Sequence, residues 1–179
     1  MKTLIFCAQG HEECEALIVY DLLKRAKMEV ELVSISDDLL VTSSHGLTYQ
    51  TDRLFKDVDF SEVQALVLPG GLPGTDNLYA FKPLIAKLHE FYEAKKLIAA
   101  ICAAPSIFIK EGFVSDDEFV CFPGFECSKK PKSGKVAIKD NVITAKGLGA
   151  DFEFAHAIIA YLKDKETADA VLKQIQYQE

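Results

Sequence analysis

The chain has 179 residues, of which 49% are hydrophobic and 26% charged, a balance typical of one globular domain spanning residues 1–179. Its net charge of −7, with basic clustering confined to the loop-like stretch KKPKSGK, argues against a nucleic-acid-binding protein. No apolar run has the length of a membrane span, and the N-terminus turns acidic too soon for a signal peptide, so we expect a cytoplasmic protein without a membrane segment.

Strand-like and helix-like segments alternate along the chain. In chain order, the pattern predicts a strand at 2–8, a helix at 12–27, a strand at 28–35, two short β segments at 40–46 and 47–52, a strand with a terminal glycine turn at 63–71, a helix at 83–96, a strand at 97–102, the start of a helix at 104–112, a β-hairpin at 135–146, and helices at 151–164 and 165–176. Continuous apolar strands that alternate with helices predict an α/β fold with a mostly parallel sheet and helices on both faces. Ligand sites in such sheets form at the carboxyl ends of the strands, where the segments QGHEECE, PGGLPGT and CAAPS fall.

Cys102 lies where a buried strand is predicted to meet a helix. The five cysteines are odd in number and include no CxxC pair, which favours reduced thiols over disulfides. Ala100-Ile101-Cys102-Ala103-Ala104 has the small-x-nucleophile-x-small form of a nucleophile elbow, in which a sharp turn lifts one side chain out of the sheet. The N-terminus of the following helix would lower the pKa of a thiol in that position. The alternative is an inert cysteine of the core.

Glu15 lies at the start of the first predicted helix, on its apolar face. The positions three, four, seven and eleven residues later are all apolar: Ile18, Val19, Leu22 and Ala26. A carboxyl group on a buried stripe has a raised pKa, so it can keep its proton and donate a hydrogen bond to a nearby thiolate. The alternative is a helix N-terminal glutamate that accepts hydrogen bonds from backbone donors.

Three further features bear on a site. Backbone N–H groups near Gly70 and Gly71 are candidates for an oxyanion pocket, although the same sequence also suits a plain tight turn. His11 and His45 fall near the expected site edge, and neither is excluded as a base. The segment GLGADF lacks the third glycine of a dinucleotide-binding loop and is followed only by helical sequence, which argues against a dinucleotide cofactor.

Four segments together resemble the ThiJ/PfpI superfamily, in its DJ-one branch: EECEAL, ALVLPGG, LIAAICAAP and GLGADFEFA. The resemblance implies a flavodoxin-like three-layer sandwich that forms a homodimer. It also implies that Cys102 is the nucleophile and Glu15 the acid hydrogen-bonded to it. Gly71 and Ala103 would supply the backbone N–H groups of an oxyanion site. No metal ion or organic cofactor is expected from it.

The sequence also departs from this superfamily. Many PfpI-type members carry histidine directly after the cysteine, where this chain has Ala103, and some DJ-one members have histidine before a proline, where this chain has Phe122. The first departure weakens a protease or amidase assignment, and the second means that a helper histidine is missing. His45 falls near a position where relatives often carry an arginine that reaches across the dimer, and Leu148 stands where some have proline.

The resemblance leaves several functions open. The first is an enzyme of carbonyl-stress defence that acts on methylglyoxal or glyoxal, either free, as a glyoxalase, or as early adducts on proteins, as a deglycase. The second is a redox sensor or redox-regulated chaperone that uses oxidation of Cys102. A role in thiamine biosynthesis is suggested only by the superfamily name.

Overall fold

A central sheet and a separate hairpin account for all the strands in residues 2–177, the part of the chain that this computed structural model describes. The strands are β1 (Lys2–Cys7), β2 (Glu29–Ser34), β3 (Leu40–Thr42), β4 (Thr48–Gln50), β5 (Arg53–Leu54), β6 (Val63–Leu68), β7 (Leu97–Ile101), β8 (Val136–Lys139) and β9 (Val142–Ala145). The α-helices are α1 (Glu13–Arg25), α2 (Gly74–Ala80), α3 (Lys82–Glu93), α4 (Pro105–Lys110), α5 (Asp151–Leu162) and α6 (Lys165–Gln174).

The seven-stranded sheet has the order β5-β2-β1-β6-β7-β9-β8. All neighbouring strands run parallel except β8, which pairs antiparallel with β9 in the expected hairpin. Strands β3 and β4 pair with each other as a second, two-stranded sheet. The expected α/β fold with a mostly parallel sheet is therefore confirmed.

The apolar side chains of the sheet alternate between two cores. In β1, Ile5 packs with α1, α5 and α6 on one face, whereas Leu4 and Phe6 pack with α2, α3 and α4 on the other. Burial on both faces explains why the inner strands are continuously apolar instead of alternating with polar residues. The helices thus form an outer layer on each side of the sheet.

The carboxyl ends of β1, β6 and β7 are neighbours at one edge of the molecule. The loops that follow β1 and β6 are joined there by two backbone hydrogen bonds, from Glu12 N–H to Gly70 O at 3.0 Å and from Gly74 N–H to Gly10 O at 3.0 Å. The loop after β7 carries Cys102. These three loops are the ones that the sequence singled out.

Two parts of the fold differ from the sequence-based expectation. Helix α2 was not predicted, and α4 has only six residues before the chain enters turns and bends between 111 and 135. Helix α2 has the sequence GTDNLYA, which is poor in strong helix formers and too short to show a helical period. Among residues 2–177, no helix combines the length and the hydropathy needed to cross a membrane.

Candidate active site

Cys102 occupies a sharp turn between β7 and α4. Its φ is +65°, in the left-handed region that a non-glycine residue enters only at a cost of about 1 kcal/mol or more. The turn is held because Cys102 N–H donates to Ala145 O at 3.0 Å and Cys102 O accepts the Phe122 N–H at 2.8 Å. The backbone is therefore that of a strained elbow, which is the conformation expected from the small residues around the cysteine.

Two glycines allow other chain segments to approach Cys102 closely. A Cβ atom at Gly70 would lie 2.7 Å from the Cys102 Cβ, and one at Gly147 would lie 3.7 Å from the Cys102 Sγ. The first distance is shorter than any normal contact between two carbon atoms. The glycine loop after β6 can pack against the elbow only because Gly70 has no side chain.

Glu15 is buried beside this elbow, with 1% of its surface exposed. Its backbone N–H donates to the Glu12 side chain at 2.7 Å, which caps α1, so the Glu15 carboxyl itself is not used as the cap. Instead, Glu15 Oε2 accepts the Gly70 N–H at 2.8 Å. Its other oxygen, Oε1, is buried without a well-aligned hydrogen-bond partner among the described residues.

Burial raises the pKa of Glu15 to about 7, although the Gly70 N–H and the Cys102 thiol both act to lower it. A second buried carboxyl lies at the start of α5, where burial followed by the charge of Glu15 raises the pKa of Asp151 to about 8. Both oxygens of Asp151 lack a hydrogen-bond partner within the described part of the chain. Near neutral pH, the site therefore contains one carboxyl that is half protonated and another that is mostly protonated.

The expectation of a lowered thiol pKa is wrong. Burial, followed by the negative charge and the hydrogen bond of Glu15, raises the pKa of Cys102 to about 12. The backbone N–H groups of Ala103 and Gly71 act in the opposite direction and lower the pKa of the thiol. The physical reason for the error is that the sequence shows the helix terminus but not the burial of the sulfur beside a carboxylate.

The thiol and the carboxyl titrate as one coupled pair, since both lie against Gly70 and each shifts the pKa of the other. Burial raises the pKa of both groups, so over a wide range of pH the pair holds a single proton. The carboxylate–thiol and carboxyl–thiolate forms then differ only in the position of that proton. A nucleophile and an acid–base group that exchange one proton can together catalyse addition to a carbonyl carbon.

The glycine loop supplies different groups from those expected. The N–H groups of Gly71 and Ala103 act on the Cys102 sulfur and lower its pKa, and their role as oxyanion donors stays a prediction. The Gly70 N–H, which was a second candidate for the oxyanion pocket, binds Glu15. Its role is to orient the acid, and this could not be inferred from a glycine pair in the sequence.

The candidate histidines lie outside this pair. His11 is buried and held between Ala8 O, 2.7 Å from Nδ1, and the Tyr49 hydroxyl next to Nε2. His45 Nδ1 lies 3.1 Å from Glu13 Oε2 of the same chain, and this hydrogen bond raises the pKa of His45. A contribution of His45 to the site of a partner chain stays a prediction.

The described residues contain one group of side chains whose potential ligand atoms lie close enough to hold a metal ion. It consists of Glu12, Glu13 and His45, with ligand atoms within 4.8 Å of one another. Glu12 is already engaged as the cap of α1, and His45 pairs with Glu13. The arrangement is explained by these contacts, and the chemistry at Cys102 and Glu15 has no need of it.

Known proteins share both the sequence and the fold of this chain. The model of the DJ-1/PfpI family matches residues 1–161. Protein DJ-1 homolog B of Arabidopsis thaliana is 32% identical over an alignment of 173 residues that covers 93% of this chain. The chain spans only 39% of that protein's length. The Caenorhabditis elegans protein named glutathione-independent glyoxalase DJR-1.2 is 32% identical over 172 residues, covering 92% of this chain and 89% of that protein. The solved structure of oxidized Toxoplasma gondii DJ-1 matches with a TM-score of 0.94 and 31% identity, covering 99% of each chain.

Proposed function

Since the chain belongs to the DJ-1/PfpI family, we propose that it is a cysteine-dependent enzyme that converts 2-oxoaldehydes such as methylglyoxal and glyoxal into 2-hydroxy acids. The same chemistry would extend to early adducts of these aldehydes on proteins. The observation that carries the proposal is that the Cys102 side chain and the buried Glu15 carboxyl lie against the same glycine, Gly70, where each shifts the pKa of the other. The name of the nematode relative, a glutathione-independent glyoxalase, supports it.

The first step is addition of the thiol to the aldehyde. A bond forms between Cys102 Sγ and the aldehyde carbon, and the carbonyl oxygen takes up the proton of the pair to give a hemithioacetal. In this proposal the Gly71 and Ala103 N–H groups, which already lower the pKa of the Cys102 thiol, stabilise the negative charge that develops on this oxygen. In this proposal the same two N–H groups therefore lower the pKa of the thiol before the addition and stabilise the oxygen during it.

The second step moves a hydrogen between adjacent carbons. The Glu15 carboxylate removes the proton from the carbon bonded to sulfur, which gives an enediolate, and the hydroxyl proton moves to the neighbouring oxygen. The carboxyl then returns its proton to the neighbouring carbon, which gives a thioester of the 2-hydroxy acid. The first carbon is oxidised and the second reduced, so no external redox partner is needed. Water then cleaves the thioester, which releases lactate from methylglyoxal and regenerates the thiol. A carboxyl with a pKa of about 7 suits both halves of this transfer.

A redox role for Cys102 is favoured by a separate feature of the same site. Peroxide oxidises a thiol to the sulfenic and then the sulfinic acid, with one water released at each step. The N–H groups of Gly71 and Ala103 and a protonated Glu15 are hydrogen-bond donors suited to sulfinate oxygens. A sensing role would use this stabilisation without turnover.

The two roles separate in one experiment. The purified protein is incubated with methylglyoxal in the absence of glutathione, and a parallel sample receives peroxide. The enzyme proposal expects many lactate molecules per chain and their loss in Cys102→Ser, whereas Cys127→Ser, an exposed-cysteine control, keeps turnover. Stoichiometric oxidation of Cys102 without lactate formation would favour the redox role and reject the enzyme.

We further propose that the chain forms a homodimer. The apolar side chains Leu40 and Leu47 are about half exposed on the β3–β4 hairpin, and a further groove beside α1 is lined by Leu17, Ile18 and Phe152. Burial of such surface stabilises an association between copies. Sedimentation at micromolar concentration tests the proposal, since a monomer there would contradict it.

A further inference from the structure

An apolar cleft opens next to the Cys102 thiol. It has a volume of about 500 Å³ and is lined by Phe122, Pro123, Lys135, Lys146, Gly147, Leu148, Gly149 and Ala150. Gly147 forms the contact between the cleft and the nucleophile, because a Cβ atom built there would lie 3.2 Å from the Phe122 ring and 3.7 Å from the Cys102 Sγ. Cys102 is not itself part of the lining, so a substituent on the sulfur would reach this apolar cleft by passing Gly147.

Two large apolar side chains in the wall of the cleft are exposed to solvent. Phe122 is 48% exposed and Leu148 is 50% exposed, which makes them two of the few large hydrophobic side chains at the surface of the described chain. The Phe122 N–H donates to Cys102 O at 2.8 Å, and its ring packs edge-on against Phe125. These contacts tie the Phe122 residue to the nucleophile elbow.

The cleft is much larger than methylglyoxal requires. Pockets of about 300–1,000 Å³ hold ligands of drug size, and a water molecule occupies about 30 Å³ of liquid. A three-carbon dicarbonyl on Cys102 would leave most of the cleft filled with water against Phe122 and Leu148. A substituent that displaced this water would gain the free energy of burying apolar surface.

We propose that Phe122 and Leu148 form a binding subsite for the substituent of the 2-oxoaldehyde, and that the preferred substrates carry an aromatic or branched aliphatic group instead of a methyl group. This inference rests on the proposed function, because it specifies the substrate of the same thiol. The chemical steps are those given above, and only the group attached to the keto carbon changes. Phe122 is suited to an aromatic substituent, since aromatic rings attract each other in offset and edge-on arrangements.

Kinetics with a matched pair of substrates test the subsite. We expect kcat/KM for phenylglyoxal to exceed that for methylglyoxal by about tenfold or more. Phe122→Ala and Leu148→Ala should each reduce this ratio by about fivefold, mainly through KM for phenylglyoxal. Ile138→Ala, which truncates an equally exposed side chain on β8 outside the cleft, should leave the ratio unchanged. A ratio near one that neither truncation alters would overturn the subsite while leaving methylglyoxal turnover, and so the proposed function, intact.

A second readout does not depend on turnover. Alkylation of Cys102 by N-phenyliodoacetamide is compared with alkylation by iodoacetamide, using mass spectrometry of the modified peptide. Faster labelling by the aryl reagent, with the advantage lost in Phe122→Ala and Leu148→Ala, supports the subsite even if no dicarbonyl is turned over. Slower labelling by the aryl reagent, unchanged by the truncations, would overturn it and would indicate that another surface, such as a second copy of the chain, covers the cleft.

Discussion

The Glu15 carboxyl accepts a hydrogen bond from the backbone N–H of Gly70 at 2.8 Å, which joins α1 to the loop after β6. The bond occupies Oε2, and the other oxygen, Oε1, has no well-aligned partner among the described residues. The backbone of the glycine loop thus orients the acid beside Cys102. This relationship determines the behaviour expected of the variants below.

Glu15→Gln should separate thiol reactivity from turnover. Glutamine keeps an oxygen that can accept the Gly70 N–H, but it cannot carry a proton between two carbons. Because positioned acid–base groups contribute about 10² to 10⁴ in rate, we expect lactate formation to fall by about 100-fold or more. Cys102 should still be alkylated at pH 9. Glu90→Gln, on the exposed surface of α3, is the control, and equal turnover in the two variants would remove Glu15 from the mechanism.

Gly70→Ala should damage the site through geometry alone. The new Cβ would lie 2.7 Å from the Cys102 Cβ and 2.9 Å from Glu15 Oε2, so the elbow or the acid must move. Forced overpacking of this kind typically destabilises a protein by about 1–3 kcal/mol, and a displacement of about 1 Å at reacting groups reduces rates by about 100-fold. Turnover and urea denaturation of the variant measure both effects. Wild-type kinetics in a folded Gly70→Ala protein would show that the close approach is irrelevant.

The reactivity of Cys102 should rise as the pH increases through about 7. Below this value the thiol–carboxyl pair holds two protons, and above it one shared proton remains, which permits the thiolate form. The alkylation rate of Cys102, measured by mass spectrometry from pH 5 to 9, should show a single-proton step near 7. Glu15→Gln should lack this step, because its thiol has no titrating partner. A step of the same size and position in both proteins would show that the two groups are not coupled.

The positions of the reactive groups followed from the sequence, but their protonation did not. The small residues around Cys102 predicted a strand-to-helix elbow, and the apolar stripe after Glu15 predicted a buried carboxyl. The sign of the Cys102 pKa shift was wrong, because it depends on the burial of the sulfur and its contact with Glu15. Contacts between residues far apart in the chain are not encoded in local patterns.

For the fold, the sequence predicted the long elements but not the short ones. Long strands and helices with a clear hydrophobic period were predicted correctly, including the hairpin that closes around Asp140 and Asn141. Helix α2 and the two-residue strand β5 were missed because they are too short to have a period. The buried contact of His11 with Tyr49 was missed too, since it joins the loop after β1 to the β3–β4 hairpin.

Asp151→Asn should change how stability depends on pH. The pKa of Asp151 is raised to about 8 in the folded protein, so the folded state keeps a proton that the unfolded state loses near pH 4. Between about pH 4 and 8, the unfolded state therefore binds fewer protons than the folded state. Because of this group, the wild-type free energy of unfolding falls over that range by up to about 1.4 kcal/mol per pH unit. Asp151→Asn removes this pH dependence. The free energy of unfolding of the variant, relative to that of the wild type, should therefore increase up to about pH 8 and then level off. Parallel stability curves for the two proteins would contradict the buried, protonated state.

Lactate formation from methylglyoxal in the absence of glutathione is the most direct test of the claim that Cys102 is the nucleophile of a cofactor-independent glyoxalase. The measurement compares the initial rates of the wild-type protein, Cys102→Ser and the control Cys127→Ser. The account predicts repeated turnover by the wild type and the control, with Cys102→Ser reduced to the rate of the uncatalysed reaction. Lactate formation by Cys102→Ser at the wild-type rate would contradict it.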